Sequence, residues 1–289
     1  MDVSPWGRAI PPPSFVSDDG DPGHAEMTKP IVEMRGISKR YGGVQALQSV
    51  DLDIYLGEVH ALVGDNAAGK STLIKTLAGA VLKDEGTITF EGRAIEINAP
   101  RDAKALGIET VYQDLALADN LNVSANVFLG RELTRNRPLS WFLDNRRMEK
   151  ESRTLLGKLK INIPNIRQQV RSMSGGQRQS IAIARCVCFN ARVVILDEPT
   201  AALGVEETRK VYGLIRDMRE HGLGVLLISH NLNHVFENCD RITVLKTGRL
   251  VGSRRVEDTT QDEILRMIVS GVTDNGGPPA RAPARIAVV

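Results

Sequence analysis

The sequence predicts an α/β protein with a mixed central sheet, an antiparallel β portion near its start and a helical insertion around its middle. Three stretches carry that prediction. Val59–Val63 is a short apolar run that leads into the Gly-rich segment Gly64-Asp65-Asn66-Ala67-Ala68-Gly69-Lys70-Ser71-Thr72 and then into the helical spacing of Thr72 to Ala78. Val193-Val194-Ile195-Leu196 sets apolar β-formers directly before Asp197 and Glu198, and Gly224 to His230 repeats the same strand-then-polar order. Short apolar runs of this kind read as buried parallel strands, and the groups just past their carboxyl ends are placed to meet a ligand.

The first stretch has the pattern G-x-x-x-x-G-K-[ST] in the strand–loop–helix setting it requires. Backbone N–H groups of such a P-loop point inward, and the helix start adds partial positive charge, so a polyphosphate fits there. Lys70 is expected to reach the β- and γ-phosphates, and Ser71 to place its hydroxyl on Mg²⁺. A Gly-rich turn between any strand and helix looks similar in isolation; the acidic strand end argues against that reading. Adjacent carboxylates repel unless a cation lies between them, so Asp197 is expected to hold Mg²⁺ and Glu198 to orient or deprotonate an attacking water. His230 stands at the next such strand end, within reach of a γ-phosphate. His234, one helical turn on, reads as a surface residue, and His24, His60 and His221 belong to no constellation.

Bulk composition removes several classes. The 289 residues hold 37 basic and 35 acidic side chains, and aromatics are 4%, so neither charge nor stacking groups point to nucleic acid. Cys186, Cys188 and Cys239 form no C-x-x-C pair, which argues against a disulfide framework or a zinc site and fits a reducing compartment. Cys186 and Cys188 fall in a helical run and read as inert thiols. No apolar run approaches the ~20 residues of a membrane helix, and the first residues lack a signal-peptide core. Work at a membrane therefore requires a partner.

Along the chain, residues 1–29 read as a disordered leader, with Pro11-Pro12-Pro13 and an Asp/Gly/Pro-rich run. A domain spans 30–271. It opens with strands at Ile31 to Met34 and Val50 to Tyr55, joined by a loop, Ser38 to Gly43, that carries Tyr41. A strand and hairpin mate follow at Gly86 to Ile97, a short helix at Pro100 to Leu106, and a strand, Ile108 to Tyr112, that stops at Gln113. That glutamine gains meaning only if its strand lies beside the P-loop strand. Residues 114 to 172 read as a helical insertion, with helical spacing at Leu121 to Leu129 and Met148 to Leu159, broken at Asn136-Arg137-Pro138 and Ile163-Pro164-Asn165. It ends at Ser174-Gly175-Gly176-Gln177, a second anion cradle before the helix of Ser180 to Val187. Ile242 to Val251 reads as a hairpin, Thr260 to Glu263 as a capping box before Ile264 to Val269, and 272–289 as a disordered tail.

The P-loop, Gln113, Ser174-Gly175-Gly176-Gln177, Leu196-Asp197-Glu198-Pro199-Thr200 and His230 stand in the order found in ATP-binding subunits of ABC transporters, which the chain resembles over roughly residues 30 to 270. The runs Gly64 to Leu77 and Tyr112 to Glu132 are similar to ATPases of bacterial sugar importers of the ribose, xylose or fructose type. Many of those carry two fused copies, and this chain has one. The resemblance implies an ABC-type fold, with ATP and Mg²⁺ as cofactors. It implies a homodimer in which ATP lies between one chain's P-loop and the other chain's Ser174 to Gln177. Tyr41 would stack on adenine. Gln113 would bind Mg²⁺ or the attacking water and couple to the insertion, which would dock transmembrane permease subunits at the cytoplasmic face of the plasma membrane. A periplasmic sugar-binding protein would act indirectly.

Two positions depart from the family pattern. Ala67 stands where glycine is usual, and Gly204 where aspartate is frequent. If position 67 requires a left-handed backbone, alanine is strained by ~1–2 kcal/mol, and Ala67→Gly is expected to tighten nucleotide binding. Two other functions compete with import: a soluble ABC ATPase of translation or repair, whose second copy, charged linker, zinc module or coiled coil is not found here, and a nucleotide-sensing module with weak hydrolysis, motivated by Ala67.

Overall fold

Val32, Met34 and Ile37 are buried while Glu33 and Arg35 between them are half-exposed, so one face of the first strand is committed to a core. In the computed structural model, which describes residues 29–135, 141–187 and 191–272, that strand is β1 (Val32–Tyr41). It continues through Ser38 to Tyr41, where a loop was expected, and only Gly42 and Gly43 form the turn to β2 (Val44–Ile54). The register shifts around Ile37 and Lys39, and this irregularity hides the alternation from the sequence. β3 (Val59–Val63) leads through the P-loop to α1 (Lys70–Leu77). β4 (Glu85–Phe90) and β5 (Arg93–Ile95) complete an antiparallel sheet of order β2-β1-β4-β5.

After α2 (Pro100–Ala105) comes β6 (Ile108–Val111), and then the insertion with α3 (Val123–Val127) and α4 (Asn145–Lys158). It is less helical than expected. Asn122 accepts the N–H of Ala125 and starts α3 only at Val123, and residues 112–122 have neither helix nor strand beyond an isolated bridge at Asn122. α5 (Gly175–Val187), β7 (Val193–Asp197), α6 (Val205–Glu220), β8 (Gly224–Ile228), α7 (Leu232–Asn238), β9 (Arg241–Lys246), β10 (Arg249–Arg255) and α8 (Gln261–Ser270) follow. Thr260 caps α8 by accepting the Glu263 N–H at 3.2 Å. The Glu263 carboxylate turns to Thr259 and Arg254 instead of closing the box. The expected leader up to residue 28, the Asn136-Arg137-Pro138 break, Cys188 and the tail from residue 273 lie outside the described residues.

The central sheet has order β10-β9-β3-β8-β7-β6, parallel from β9 to β6 with β10 an antiparallel edge. Strand alternation divides its two faces. Val59, Ala61 and Val63 of β3, Val225 and Leu227 of β8, and Val194 and Leu196 of β7 join one core with the helices of the insertion and α5 to α8. Leu62, Leu226, Ile228, Val193 and Ile195 join the other, with α1 and the antiparallel sheet. Burial on both faces is why these strands read as continuous apolar runs.

His60 is the polar exception on β3, at 1% exposure. Its Nδ1 lies 2.9 Å from the Asp53 carbonyl and its Nε2 2.7 Å from the Thr243 hydroxyl, which fits a neutral ring that donates to the first and accepts from the second. Burial, and then the Arg241 guanidinium, push its pKa down to about 3. The unfolded chain protonates His60 near its usual ~6.5, so the stability from keeping it neutral is full above ~6.5 and is lost as pH falls toward 3. Between pH 6.5 and 5 the parent is expected to lose about 1.5 kcal/mol more than His60→Gln in urea unfolding. Parallel pH profiles for the two proteins would contradict this.

Candidate functional site

The P-loop is seated by contacts that exclude side chains. A Cβ on Gly64 would lie 2.2 Å from the Leu245 carbonyl oxygen of β9, and one on Gly69 would lie 2.7 Å from that of Ala46 in β2. Gly248 N–H donates to the Ala68 carbonyl at 2.9 Å. The loop is thus wedged between the two sheets, with Asp65, Asn66 and Ala67 exposed and Ala68 buried. Gly69 is the N-cap of α1, which has no side-chain cap and no acid in its first turn. The N–H groups around Lys70, Ser71 and Thr72 therefore stay available to an anion. Lys70 Nζ donates to the carbonyls of Gly64 at 2.7 Å and Asp65 at 2.9 Å, so its ammonium caps the loop from inside. Burial lowers its pKa, opposed by Glu198, Asp197 and Asp65.

Strand register brings the acidic residues to the same edge. Leu62 of β3 and Asp197 of β7 both pair with Ile228 of β8. Glu198 and His230 follow at neighbouring strand ends, with Glu198 Oε1 3.1 Å from His230 Nδ1. Glu198 N–H donates to the Ile228 carbonyl at 3.0 Å, and its backbone is left-handed at φ 49. A non-glycine residue held there costs ~1–3 kcal/mol and persists where the surroundings fix it, commonly at functional sites. Burial and then the charge of Glu198 push the Asp197 pKa up.

Gln113 is placed differently from the expectation. β6 lies beside β7, not beside β3, with Val111 paired to Leu196. Gln113, two residues past Val111, is therefore level with Glu198 at the neighbouring strand end and is exposed. Tyr41 is 47% exposed at the β1–β2 turn, with Lys39 Nζ 5.6 Å from its ring centre. β2, which returns from that turn, packs against Gly69 through Ala46 and Leu47. Ser174 and Gln177 form a reciprocal cap on α5: Gln177 N–H donates to Ser174 Oγ at 3.2 Å and Ser174 N–H to Gln177 Oε1 at 3.1 Å. Gly175 follows in the first turn, and a Cβ on Gly176 would strike Glu207 of α6 at 2.3 Å. This end of α5 faces a groove of about 620 Å³ with Glu207 and Lys210. Among the described residues no hydrogen bond joins it to the P-loop.

The donor set fits a hydroxyl- and carboxylate-bound divalent ion. Asp197 is a half-buried carboxylate whose charge is opposed by burial and by a second acid, and Ser71 and Gln113 offer neutral oxygens. Among the described residues no group of three or more His, Cys, Asp or Glu forms a cage.

Sequence reasoning passed over α6 and its contents, although Val211, Leu214, Ile215 and Met218 carry helical spacing after Glu206 and Glu207. Tyr212 on that helix is 4% exposed and meets His234 edge-on at 5.2 Å. His234 is thus half-buried with a buried Nδ1, and not the surface residue expected. Cys186 and Cys239 are buried, and burial pushes the Cys186 thiol up to about 12, as inert thiols require.

A family model described as ABC transporter matches residues 47–201, from β2 past Glu198. The xylose/arabinose import ATP-binding protein XylG of Sulfolobus acidocaldarius is 47% identical over 240 residues, covering 83% of this chain and 94% of that protein. The fructose import ATP-binding protein FrcA of Rhizobium meliloti is 47% identical over 260 residues, covering 89% and 98%. A solved ATP-binding cassette of an ABC transporter in its ADP conformation superposes with a TM-score of 0.71 at 25% identity, covering 83% of this chain and 95% of that one.

Ala67 has φ 64, the left-handed conformation that makes alanine costly. The strain belongs to the folded loop itself, so it weighs on stability more than on binding. Ala67→Gly removes ~1–2 kcal/mol of strain and adds up to ~1 kcal/mol of unfolded-state entropy, a net gain between zero and about 2 kcal/mol. Thermal unfolding is expected to rise slightly while ATP affinity stays within about twofold, since the loop conformation is unchanged. A clear gain in affinity would show instead that the strain is released on binding.

Proposed function

Since the chain belongs to the ABC transporter family of ATP-binding proteins, we propose that it hydrolyses ATP to drive a membrane importer whose cargo is a monosaccharide. The observation that carries this reading is the alignment of P-loop, acidic strand end and His230 on one sheet edge. Lys70 moves from the carbonyls of Gly64 and Asp65 to the β- and γ-phosphates. Ser71, Asp197 and Gln113 hold Mg²⁺, which supplies charge neutralisation at the phosphates when bound. Glu198 takes the proton of, or orients, the attacking water, and His230 fixes the Glu198 carboxylate. Tyr41 stacks on the base.

The Ser174 end of α5 serves the nucleotide of a second copy, so the working unit is a homodimer. No described helix is long and apolar enough to cross a membrane. The chain is peripheral at the cytoplasmic face, held there by permease subunits. The exposed Leu129, Phe142 and Leu143, with Trp141 at 87% exposure, give the insertion an apolar surface for them. The xylose/arabinose and fructose importers among its relatives support a monosaccharide cargo, delivered to the permease by a periplasmic binding protein. The sugar itself is chosen by those partners.

Glu198→Gln tests the reading. It is expected to keep ATP binding, to trap an ATP-bound dimer, and to lower turnover by ~10²-fold or more. Parental turnover in that variant would remove Glu198 from the chemistry.

A further inference from the structure

A cavity of about 470 Å³ is walled by α6, α7 and the segments that follow β7 and β8. Glu198 and His230 stand in its wall, so it borders the catalytic edge, but no P-loop residue lines it. Tyr212 of α6 is 4% exposed and lines this cavity, and among the described residues its hydroxyl has no partner at hydrogen-bonding geometry. Thr200 and Ser229 are close enough to oppose the upward push that burial gives its phenol. His234 of α7 meets the Tyr212 ring edge-on, and its buried Nδ1 is likewise without a partner. Ser229 is buried and accepts the Asn231 N–H at 3.2 Å, so its hydroxyl keeps a proton to donate. A buried polar group without a partner is costly, which points to an occupant that supplies one. A single water takes about 30 Å³ and would leave most of this space unused.

The lining selects the chemistry of the occupant. Hydroxyls both donate and accept, and an imidazole nitrogen does either according to its tautomer. Tyr212, Thr200, Ser229 and His234 therefore match a ligand whose own groups do both, as hydroxyls do, better than an anion that only accepts or an ammonium that only donates. Charge agrees. Arg209 and Arg216 in the lining are balanced by Glu198 and Glu237, and both guanidiniums are already bonded, to Glu206 and Asn238. The volume falls within the ~300–1,000 Å³ of small-molecule pockets. We infer that this cavity binds a small neutral polyol of the monosaccharide class, at a site separate from the nucleotide. Its hydroxyls pair with Tyr212 and His234, and one meets the Glu198 carboxylate beside His230. A carboxylate that accepts such a bond is a weaker base toward the attacking water, so the bound sugar slows ATP turnover. Cargo gathered on the ATPase's side of the membrane then restrains its own import. This regulatory role rests on the importer reading above, whereas the binding site rests on the cavity alone.

Calorimetry and saturation-transfer NMR on the full-length chain test it, with Mg-ADP present to fill the P-loop. The probes are D-ribose, D-xylose, D-fructose and inorganic phosphate. At least one sugar is expected to bind saturably with a Kd on the order of 1 mM. Tyr212→Phe is expected to weaken that sugar about fivefold, the loss of one neutral hydrogen bond. Without sugar the same variant should melt no lower than the parent, because its hydroxyl has no partner to lose. Thr208→Tyr fills the cavity from α6 and is expected to abolish sugar binding. Saturating sugar is expected to lower the parental kcat at least about twofold and to leave that of Thr208→Tyr unmoved. No saturable sugar binding, sugar binding that survives both variants, or phosphate binding that Tyr212→Phe weakens would overturn the polyol site. A bound sugar that leaves kcat unchanged would overturn the regulation. Should Thr208→Tyr fail to fold, Tyr212→Phe decides by the same criteria. A parent that binds sugar but turns over no ATP would count against the ATPase reading and not against the site.

Discussion

The nucleotide site depends on one constraint, the shared register of β3, β8 and β7. Leu62 and Asp197 pair with the same residue of β8, Ile228. This levels the P-loop, His230 and the Asp197-Glu198 pair at one sheet edge. A one-residue slip in any of the three would turn its side chains to the opposite face and withdraw one group from the site. The two buried faces of the sheet resist such a slip, because each strand divides its apolar residues between two separate cores. At that edge Ala67 of the P-loop and Glu198 past β7 are left-handed without being glycine.

The same framework leaves the site open on one side. Lys70, Ser71, Asp197, Glu198 and His230 approach from the sheet edge. The capped start of α5 is occupied by its own Ser174–Gln177 exchange and faces a groove with α6. The pair Arg131–Glu109 ties the insertion to β6, while Asn126 of α3 and Arg185 of α5 hold the carbonyls of Ala118 and Ala116 in the segment that follows β6.

Much of this was legible in the residues. β3, β7 and β8 begin and end close to where their apolar runs do, and the P-loop and the Thr260 cap follow from local chemistry. Strand order was not legible: Gln113 sits beyond β7 because order is decided by packing, which no local pattern encodes. The extension of β1 to Tyr41 was hidden by its bulges, and the burial of His234 depends on Tyr212 from a helix away in sequence. Arg185 and Asn126 escaped because bonds from a side chain to irregular backbone leave no periodic trace.

The most direct test of the two-chain site concerns Ser174. In the Glu198→Gln background, Ser174→Arg should leave nucleotide binding to the isolated chain intact, since its own P-loop is untouched. It should also abolish the ATP-driven dimer seen by light scattering. Loss of nucleotide affinity in the single chain, or a dimer that still forms with ATP, would contradict the account.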